Sequence, residues 1–486
     1  MKALRTLRIV LALGFLTAVT LLFLNPGDLM HPCLDWVARL QFLPAVLSLN
    51  FVVVVAVLLV TLLVGRVYCS VVCPLGVMQD LFSWLGGKVK KNRFRYTRGL
   101  PVVRILFLVA FVLLMLLGMG GLAILIAPYS AYGRIVTMLL APAAAWLTRL
   151  VGAIGWEVTA PAKAGLLLLV PVATLLVVGA MSFFWGRLWC NTVCPVGSTL
   201  GLFSRFSLIR PTFDTAKCNG CRKCERNCKA MCIDVANHHI DTSRCVDCMD
   251  CMAGCSQGAL SLRLAGCGCK SSSEPREEKV DSSRRKFLAT TAAVGTVMAV
   301  EAQEKKIDGG LAAIEGRKLR ERHVPLKPAG AKSVSRFDSR CTACQLCVSA
   351  CPDHVLRPST GLNTLLQPEM VFDKGFCRPD CTRCGEVCPT GAILPIDVPQ
   401  KTSVSVGHAI TDPALCLLAQ GVNCDACSRH CPTGAIQVFP GNGNPPHPVV
   451  TVNESVCLGC GACEYYCPVR PVSAIYVEGR EVHTSI

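Results

Sequence analysis

The sequence predicts an α-helical membrane domain, four transmembrane helices in two repeated pairs, followed by two α+β, cysteine-rich domains. Three observations carry this. Apolar stretches dominate the first two hundred residues and lift the mean hydropathy to +0.47. A nineteen-residue motif recurs 121 residues after its first appearance. Thirty-two cysteines in 486 residues fall mostly into short, regularly spaced runs. A chain this long needs no disulfide scaffold, and spacings of two and three residues point to metal ligation. The net charge of +17 sits largely in loops beside apolar segments, which reads as membrane topology. No aromatic-interleaved basic patch suggests nucleic acid.

Four segments, roughly 7–25, 44–65, 103–127 and 164–185, are long enough with their flanks to cross a bilayer. A ~30 Å hydrocarbon core takes about 20 helical residues. Lys2, Arg5 and Arg8 precede the first segment, and Arg66, Lys88, Lys90, Lys91, Arg93, Arg95 and Arg98 lie between the second and third. The opposite loop, 26–43, carries only Arg39. The positive-inside rule therefore puts the N-terminus, the 66–101 loop and the chain after 186 in the cytoplasm. Residues 133–155 read as an interfacial or re-entrant helix, since the apolar core between Arg134 and Arg149 is only 14 residues and contains Pro142. The membrane domain spans 1–210.

Within it, "GRVYCSVVCPLGVMQDLFS" (65–83) aligns without gaps on "GRLWCNTVCPVGSTLGLFS" (186–204), with ten of nineteen positions identical. Each helix pair thus ends in Cys-x3-Cys-Pro. Cys69/Cys73 and Cys190/Cys194 are four apart, hence on one face if the segment is helical. Incidental thiols at a packing corner would not need strict repetition. The four thiols are expected to converge, as an additional redox or metal set or beside a quinone.

After residue 204 the chain turns polar. In 211–269, "CNGCRKCERNC" supplies Cys218, Cys221, Cys224 and Cys228, and "CVDCMDCMAGC" supplies Cys245, Cys248, Cys251 and Cys255. Cys-x2-Cys-x2-Cys-x3-Cys is the bacterial ferredoxin run: three thiolates wrap one [4Fe–4S] cubane and the fourth reaches the cluster of the other run. A zinc ribbon would separate its ligand pairs more widely. Lys229 and Ser256 stand where proline usually follows the last cysteine. Cys33, Cys232, Cys267 and Cys269 have no assigned role.

Residues 270–335 read as a linker, polar at 270–286 and again at 303–335. Between those stretches, "SSRRKFLATTAAVGTVMAV" (282–300) pairs Arg284 and Arg285 with a short apolar run, in the manner of a twin-arginine export signal. Such a signal serves folded cargo, as a cluster-loaded domain must be. It is either cleaved near Ala302 or kept as a short fifth membrane anchor.

Four more runs fill 336–486: Cys341, Cys344, Cys347, Cys351; Cys377, Cys381, Cys384, Cys388; Cys416, Cys424, Cys427, Cys431; and Cys457, Cys460, Cys463, Cys467. Every one ends in Cys-Pro, and two continue as Pro-Thr-Gly-Ala-Ile. With the cytoplasmic pair this makes six [4Fe–4S] clusters in two ferredoxin-like domains, the second expected in the periplasm. No Cys-x-x-Cys-His supports c-type haem, no histidine in a predicted span supports b-type haem, and no Gly-rich fingerprint supports a flavin or nicotinamide.

These motifs resemble known families. The first ~265 residues are similar to the NapH-type membrane ferredoxins of periplasmic nitrate reductase systems, on the twin GRxxCxxxCP motifs and two cytoplasmic runs. The second half resembles the NapG-type periplasmic ferredoxins, on the twin-arginine start, four runs and the Cys-x7-Cys-x2-Cys-x3-Cys-Pro form of the third. Methylamine-utilisation and NosR-type ferredoxin proteins are related to both. The resemblance implies a non-haem quinol dehydrogenase component at the inner membrane. It would pass electrons from the quinone pool to a periplasmic partner, a c-type cytochrome or terminal reductase. It also implies that the first and last C-terminal runs share one cluster pair, Cys341–Cys351 with Cys457–Cys467, and the middle two another, Cys377–Cys388 with Cys416–Cys431. Asp35, Asp80 and Glu157 are the acidic residues nearest the membrane edges and candidates for quinol protons. The competing function is a maturation or regulatory ferredoxin that keeps a partner metalloenzyme reduced without oxidising quinol.

Overall fold

The apolar segments form helices, and the second and fourth of them end at the turn into a Cys-x3-Cys-Pro motif. The computed structural model describes residues 2–24, 30–89, 94–117, 120–151, 165–264, 317–361, 364–440 and 448–486. The Arg284-Arg285 signal, Glu157, Cys267 and Cys269 lie outside the described residues.

The helical domain starts with α1 (Lys2–Leu24), followed by α2 (Met30–Arg39) and α3 (Phe42–Leu47). The first repeat is α4 (Phe51–Val64), α5 (Val67–Val71) and α6 (Pro74–Val89). After it come α7 (Pro101–Leu116), α8 (Gly120–Ala123), α9 (Pro128–Ile135) and α10 (Ala141–Val151), the last two joined by a π turn at Val136–Leu140. The second repeat is α11 (Leu169–Trp185), α12 (Leu188–Thr192) and α13 (Pro195–Phe203). Among the described residues only α1 is long and apolar enough by itself to cross a membrane. The other three expected spans are helices of 14, 16 and 17 residues, so helix length does not supply four transmembrane helices. The physical reason in both repeats is a glycine stop. α4 ends at Gly65 with φ +92° and α11 at Gly186 with φ +64°, where a residue with a Cβ would be strained. The outward faces of these helices stay apolar: Phe51, Val52, Val102 and Leu116 are 72–79% exposed.

Two α+β units flank this domain. In the first, β1 (Ile209–Phe213) pairs antiparallel with β4 (Leu260–Leu264), Phe213 opposite Leu260, and β2 (Ile233–Asp234) pairs with β3 (His239–Ile240). The unit packs on the N-terminal end of α1, where Arg5 Nε meets Asp250 Oδ1 at 2.6 Å. The second unit holds three antiparallel pairs: β5 (Leu356–Pro358) with β6 (Pro368–Met370), β7 (Val404–Thr411) with β10 (Ile475–Ser485), and β8 (Ile436–Phe439) with β9 (Val449–Val452). It packs on the other end of α1: Leu346–Ser349 lies against that helix, and Arg39 Nη2 donates to Glu386 O at 3.1 Å. At about 1.5 Å per residue, α1 holds the two units roughly 35 Å apart.

Residues 317–335, expected to be part of a linker, belong to the second unit instead. Arg317 donates to Phe372 O, Tyr465 O and Cys467 O, Arg322 pairs with Glu464 at 2.8 Å, and Leu326, Lys327 and Ala331 are buried. Its arginines satisfy backbone carbonyls and carboxylates of the unit, while Lys318, Glu321 and His323 face water.

Candidate metal centres

Each cysteine run wraps a small concavity, and a short helix that carries its third thiol starts just after its second. In four runs the residues on either side of the second cysteine have positive φ: Gly220 and Arg222, Asp247 and Met249, Ala343 and Gln345, Gly459 and Gly461. Alternating left- and right-handed residues turn successive N–H groups toward one point, a nest suited to an anionic cluster. The runs beginning at Cys377 and Cys416 have longer first spacings, and neither neighbour of their second cysteine has positive φ.

Six thiol sets result. Set I is Cys218, Cys221 and Cys224 with Cys255, and set II is Cys245, Cys248 and Cys251 with Cys228; each lines one pocket. The fourth cysteine therefore crosses to the partner run, as the spacing predicts. Set III is Cys341, Cys344 and Cys347 with Cys388, around one pocket. Set IV places Cys351 beside Cys377, Cys381 and Cys384. Set V places Cys431 beside Cys457 and Cys460, with Cys463 beside both of those thiols. Set VI is Cys416, Cys424 and Cys427 with Cys467, around one pocket. The C-terminal runs thus pair first with second and third with fourth. The expected pairing, Cys341–Cys351 with Cys457–Cys467 and Cys377–Cys388 with Cys416–Cys431, is overturned. The reason is helix packing between neighbours in sequence: Leu346–Ser349 packs on Arg383–Glu386, and Ala426–Arg429 on Ala462–Tyr466.

The sets form a line. Cys224 of set I neighbours Cys251 of set II. Cys347 of III neighbours Cys384 of IV. Cys377 N donates to Cys460 O at 2.9 Å, joining IV to V, and Cys427 of VI neighbours Cys463 of V. Sets II and III face the helical domain; set I, with Cys221 exposed, and set VI face outward. Donors support the thiols: Ala343 N to Cys341 Sγ and Ile393 N to Cys388 Sγ, both 3.4 Å, and buried Lys401 Nζ to Cys377 Sγ at 3.3 Å. Among the described residues no three His, Cys, Asp or Glu side chains converge at single-ion distance, and every described cysteine is a free thiol. Four thiols per set, backed by N–H donors, fit [4Fe–4S] clusters. Cys232, given no role by the sequence, lies 3.6 Å from Cys228 Sγ and lines the set II pocket.

The two Cys-x3-Cys-Pro motifs meet in the core. The cysteine pairs do not share a helix face as expected: α5 and α12 stop first, and Cys194 caps α13, accepting from Gly197 N at 3.4 Å. Cys69, Cys73, Cys190 and Cys194 are all buried. Arg66 and Arg187 cross over between the repeats. Arg66 Nη2 donates to Cys190 O at 3.2 Å, and Arg187 Nη1 to Cys69 O at 2.7 Å. The invariant Gly-Arg of both motif copies was the signal for these two residues.

Of the acidic candidates, Asp80 is an ion-pair hub. Its carboxylate meets Arg187 at 2.7 Å, Lys229 at 2.9 Å and Arg8 at 3.1 Å. Burial alone would raise it, but Arg187 and Lys229 hold it far below the usual carboxylate range. It is a poor proton acceptor. Burial pushes the Asp35 carboxyl up against the opposing pull of Arg39, which suits proton exchange better. Above Asp80 opens a cavity of about 870 Å³ between α1, α6 and the first α+β unit, with apolar walls (Leu13, Val77, Trp84) and a charged end (Arg8, Lys229, Asp250).

The comparisons with known proteins agree with this arrangement. A family described as "4Fe-4S binding domain" matches residues 48–92 and 166–213, one copy on each repeat. A family described as "4Fe-4S dicluster domain" matches 340–392 and 422–470, which take in the two run pairs seen here except for Cys416. The methylamine utilization ferredoxin-type protein MauM of Methylobacillus flagellatus is 34% identical over 180 residues, 34% of this chain and 74% of MauM. The ferredoxin-type protein NapG of Escherichia coli is 30% identical over 209 residues, 40% of this chain and 84% of NapG. The chain belongs to the MauM/NapG family of ferredoxin-type proteins. The ferredoxin-type protein NapF of Escherichia coli is 28% identical over 176 residues, 36% of this chain and 99% of NapF. No solved structure matches. As a member of the family the chain carries ferredoxin-type 4Fe–4S domains and serves iron–sulfur electron transfer.

Proposed function

We propose that the protein carries electrons from membrane quinol, through six [4Fe–4S] clusters held by sets I to VI, to a periplasmic redox partner. The observation that carries this reading is placement: two ferredoxin units sit at opposite ends of one apolar helix, with their buried sets turned toward it. The exposed apolar faces of α4 and α7 support a membrane around the helical domain. On this reading set I is cytoplasmic and set VI periplasmic. The cavity beside set II suits a quinol: its apolar wall takes the ring and tail, and its charged end is one residue from Cys228. Each cluster, when bound, takes and gives one electron; the chain's part is to hold the sets in line and exclude water around II and III.

The test is anaerobic reduction of the full-length, membrane-extracted protein by a quinol analogue, followed by electron paramagnetic resonance. Quinol should reduce the clusters, and Ala12→Trp, which fills the cavity, should slow this about tenfold or more (~1.4 kcal/mol) without affecting reduction by dithionite. Clusters that stay oxidised with quinol yet accept electrons from a cytoplasmic ferredoxin would refute the reading and favour a maturation role.

A further inference from the structure

The four cysteines of the repeated motifs have no task among the six ferredoxin sets. All six pairings among Cys69, Cys73, Cys190 and Cys194 lie within electrostatic reach of one another. The surroundings obey the repeat's pseudo-twofold symmetry. Arg66 Nη2 lies 3.9 Å from Cys69 Sγ, and Arg187 Nη1 lies 3.9 Å from Cys190 Sγ. A Cβ on Gly76 would meet Arg187 Nη1 at 2.7 Å, and one on Gly197 would meet Arg66 Nη2 at 2.8 Å, so both positions must stay bare.

Charge shows what is held there. Arg66 and Arg187 are fully buried. Arg187 shares Asp80 with two other cations. Arg66 donates to Asn191 Oδ1, Ser243 O and Cys190 O, and among the described residues no carboxylate lies at ion-pair distance from it. Among the described residues Arg66 Nε, Arg187 Nη2 and Gln79 Nε2 are buried donors with no acceptor, although Gln79 Oε1 already accepts from Cys190 Sγ. Neutral thiols do not offset two buried guanidinium groups, whereas a thiolate-ligated cluster is an anion that accepts hydrogen bonds at its sulfurs.

We infer that Cys69, Cys73, Cys190 and Cys194 ligate a further iron–sulfur cluster, the step by which electrons pass between sets II and III. Its role rests on the electron-transfer reading above; its existence does not. The thiols do not converge at single-ion distance, and neither do the ferredoxin sets, so a polynuclear centre is the matching class. On one side, Arg187 N donates at 2.8 Å to the carbonyl of Lys229, next to Cys228 of set II. On the other, Tyr68 neighbours Cys73, and Tyr129 neighbours both Tyr68 and the set III thiols Cys344 and Cys388. With clusters held by these thiols, one electron would pass from set II to the four-cysteine site and from there to set III. No bond is made or broken and no proton is needed.

The test uses the anaerobically purified full-length chain. Iron and acid-labile sulfide should exceed what the six ferredoxin sets take up, and one extra centre should titrate. Cys73→Ser/Cys194→Ser should remove about four iron or fewer per chain and that centre's signal, and should block set III reduction through set II. Unchanged iron and spectra in the variant would overturn the proposal. So would a disulfide among the four cysteines in non-reducing peptide maps of the wild type, which needs no variant to fold. Arg66→Lys keeps every thiol and should shift the potential of the central cluster alone; no shift would count against it. Failure of quinol to reduce a protein that still holds the extra centre would sink the quinol reading and leave this one standing.

Discussion

Lys229 occupies the position after the fourth cysteine of its run, where all four C-terminal runs carry proline. Its ammonium bridges Asp80 at 2.9 Å and Asp250 at 3.1 Å, so this run docks its unit onto α6. Asp80→Asn leaves Arg187 and Lys229 buried without that carboxylate, and breaking such a pair costs about 3–5 kcal/mol. The variant should melt its N-terminal unit earlier, visible as loss of visible-region cluster absorbance on heating. The pH dependence has a definite sign. Because folding depresses the Asp80 carboxyl, its contribution is complete above the unfolded value of about 4 and fades as pH falls toward the folded value. The gap between wild type and variant should therefore be full at neutral pH and shrink only in strong acid. At the motif itself, Gly197→Ala places a methyl against the Cys190 carbonyl and Arg66. Overpacking of this kind typically costs about 1–3 kcal/mol, and thermal unfolding should show it, whereas Gly87→Ala, with open space around it, should not.

At the scale of elements, the pairing of runs decides which cysteine serves which cluster. Cys388→Ser should abolish the cluster at set III and leave the signals of sets V and VI intact; Cys467→Ser should abolish set VI and leave set III. The pairing implied by the family resemblance would instead couple Cys467 to the Cys341 run, so spectra of the two variants separate the alternatives. The runs themselves were legible because ligand spacing is fixed by the cluster. Their pairing was not, because Cys341, Cys344 and Cys347 keep the same spacing whichever fourth thiol arrives. What decides is a contact between short helices, Leu346–Ser349 and Arg383–Glu386, and no spacing encodes it. The arginine-rich segment 317–335 misled for a related reason, since polarity marks solvent and carbonyl-capping side chains alike. The repeat is plain in sequence, but hydropathy continues to the edge of Gly65 and Gly186 and so hides the stops that shorten α4 and α11.

For the whole molecule, the order I–II, helical domain, III–IV–V–VI makes sets I and VI the terminals. Set I lies beside Lys217, Arg222 and Lys223, so a partner meeting it would be acidic, while the thiols of sets II and III are buried or half-buried. Sidedness follows from the same order. If set I lies on one side of the membrane and the C-terminal unit on the other, a membrane-impermeant amine reagent should reach the exposed Lys217 and Lys223 from one face of sealed vesicles and the exposed Lys332 and Lys374 from the opposite face. Inside-out vesicles should label the first pair and spare the second; right-side-out vesicles should show the reverse. Labelling of both pairs from one face would place both ferredoxin units in one compartment. The helical domain would then be a scaffold around which electrons circulate, and the line of sets would end where it began.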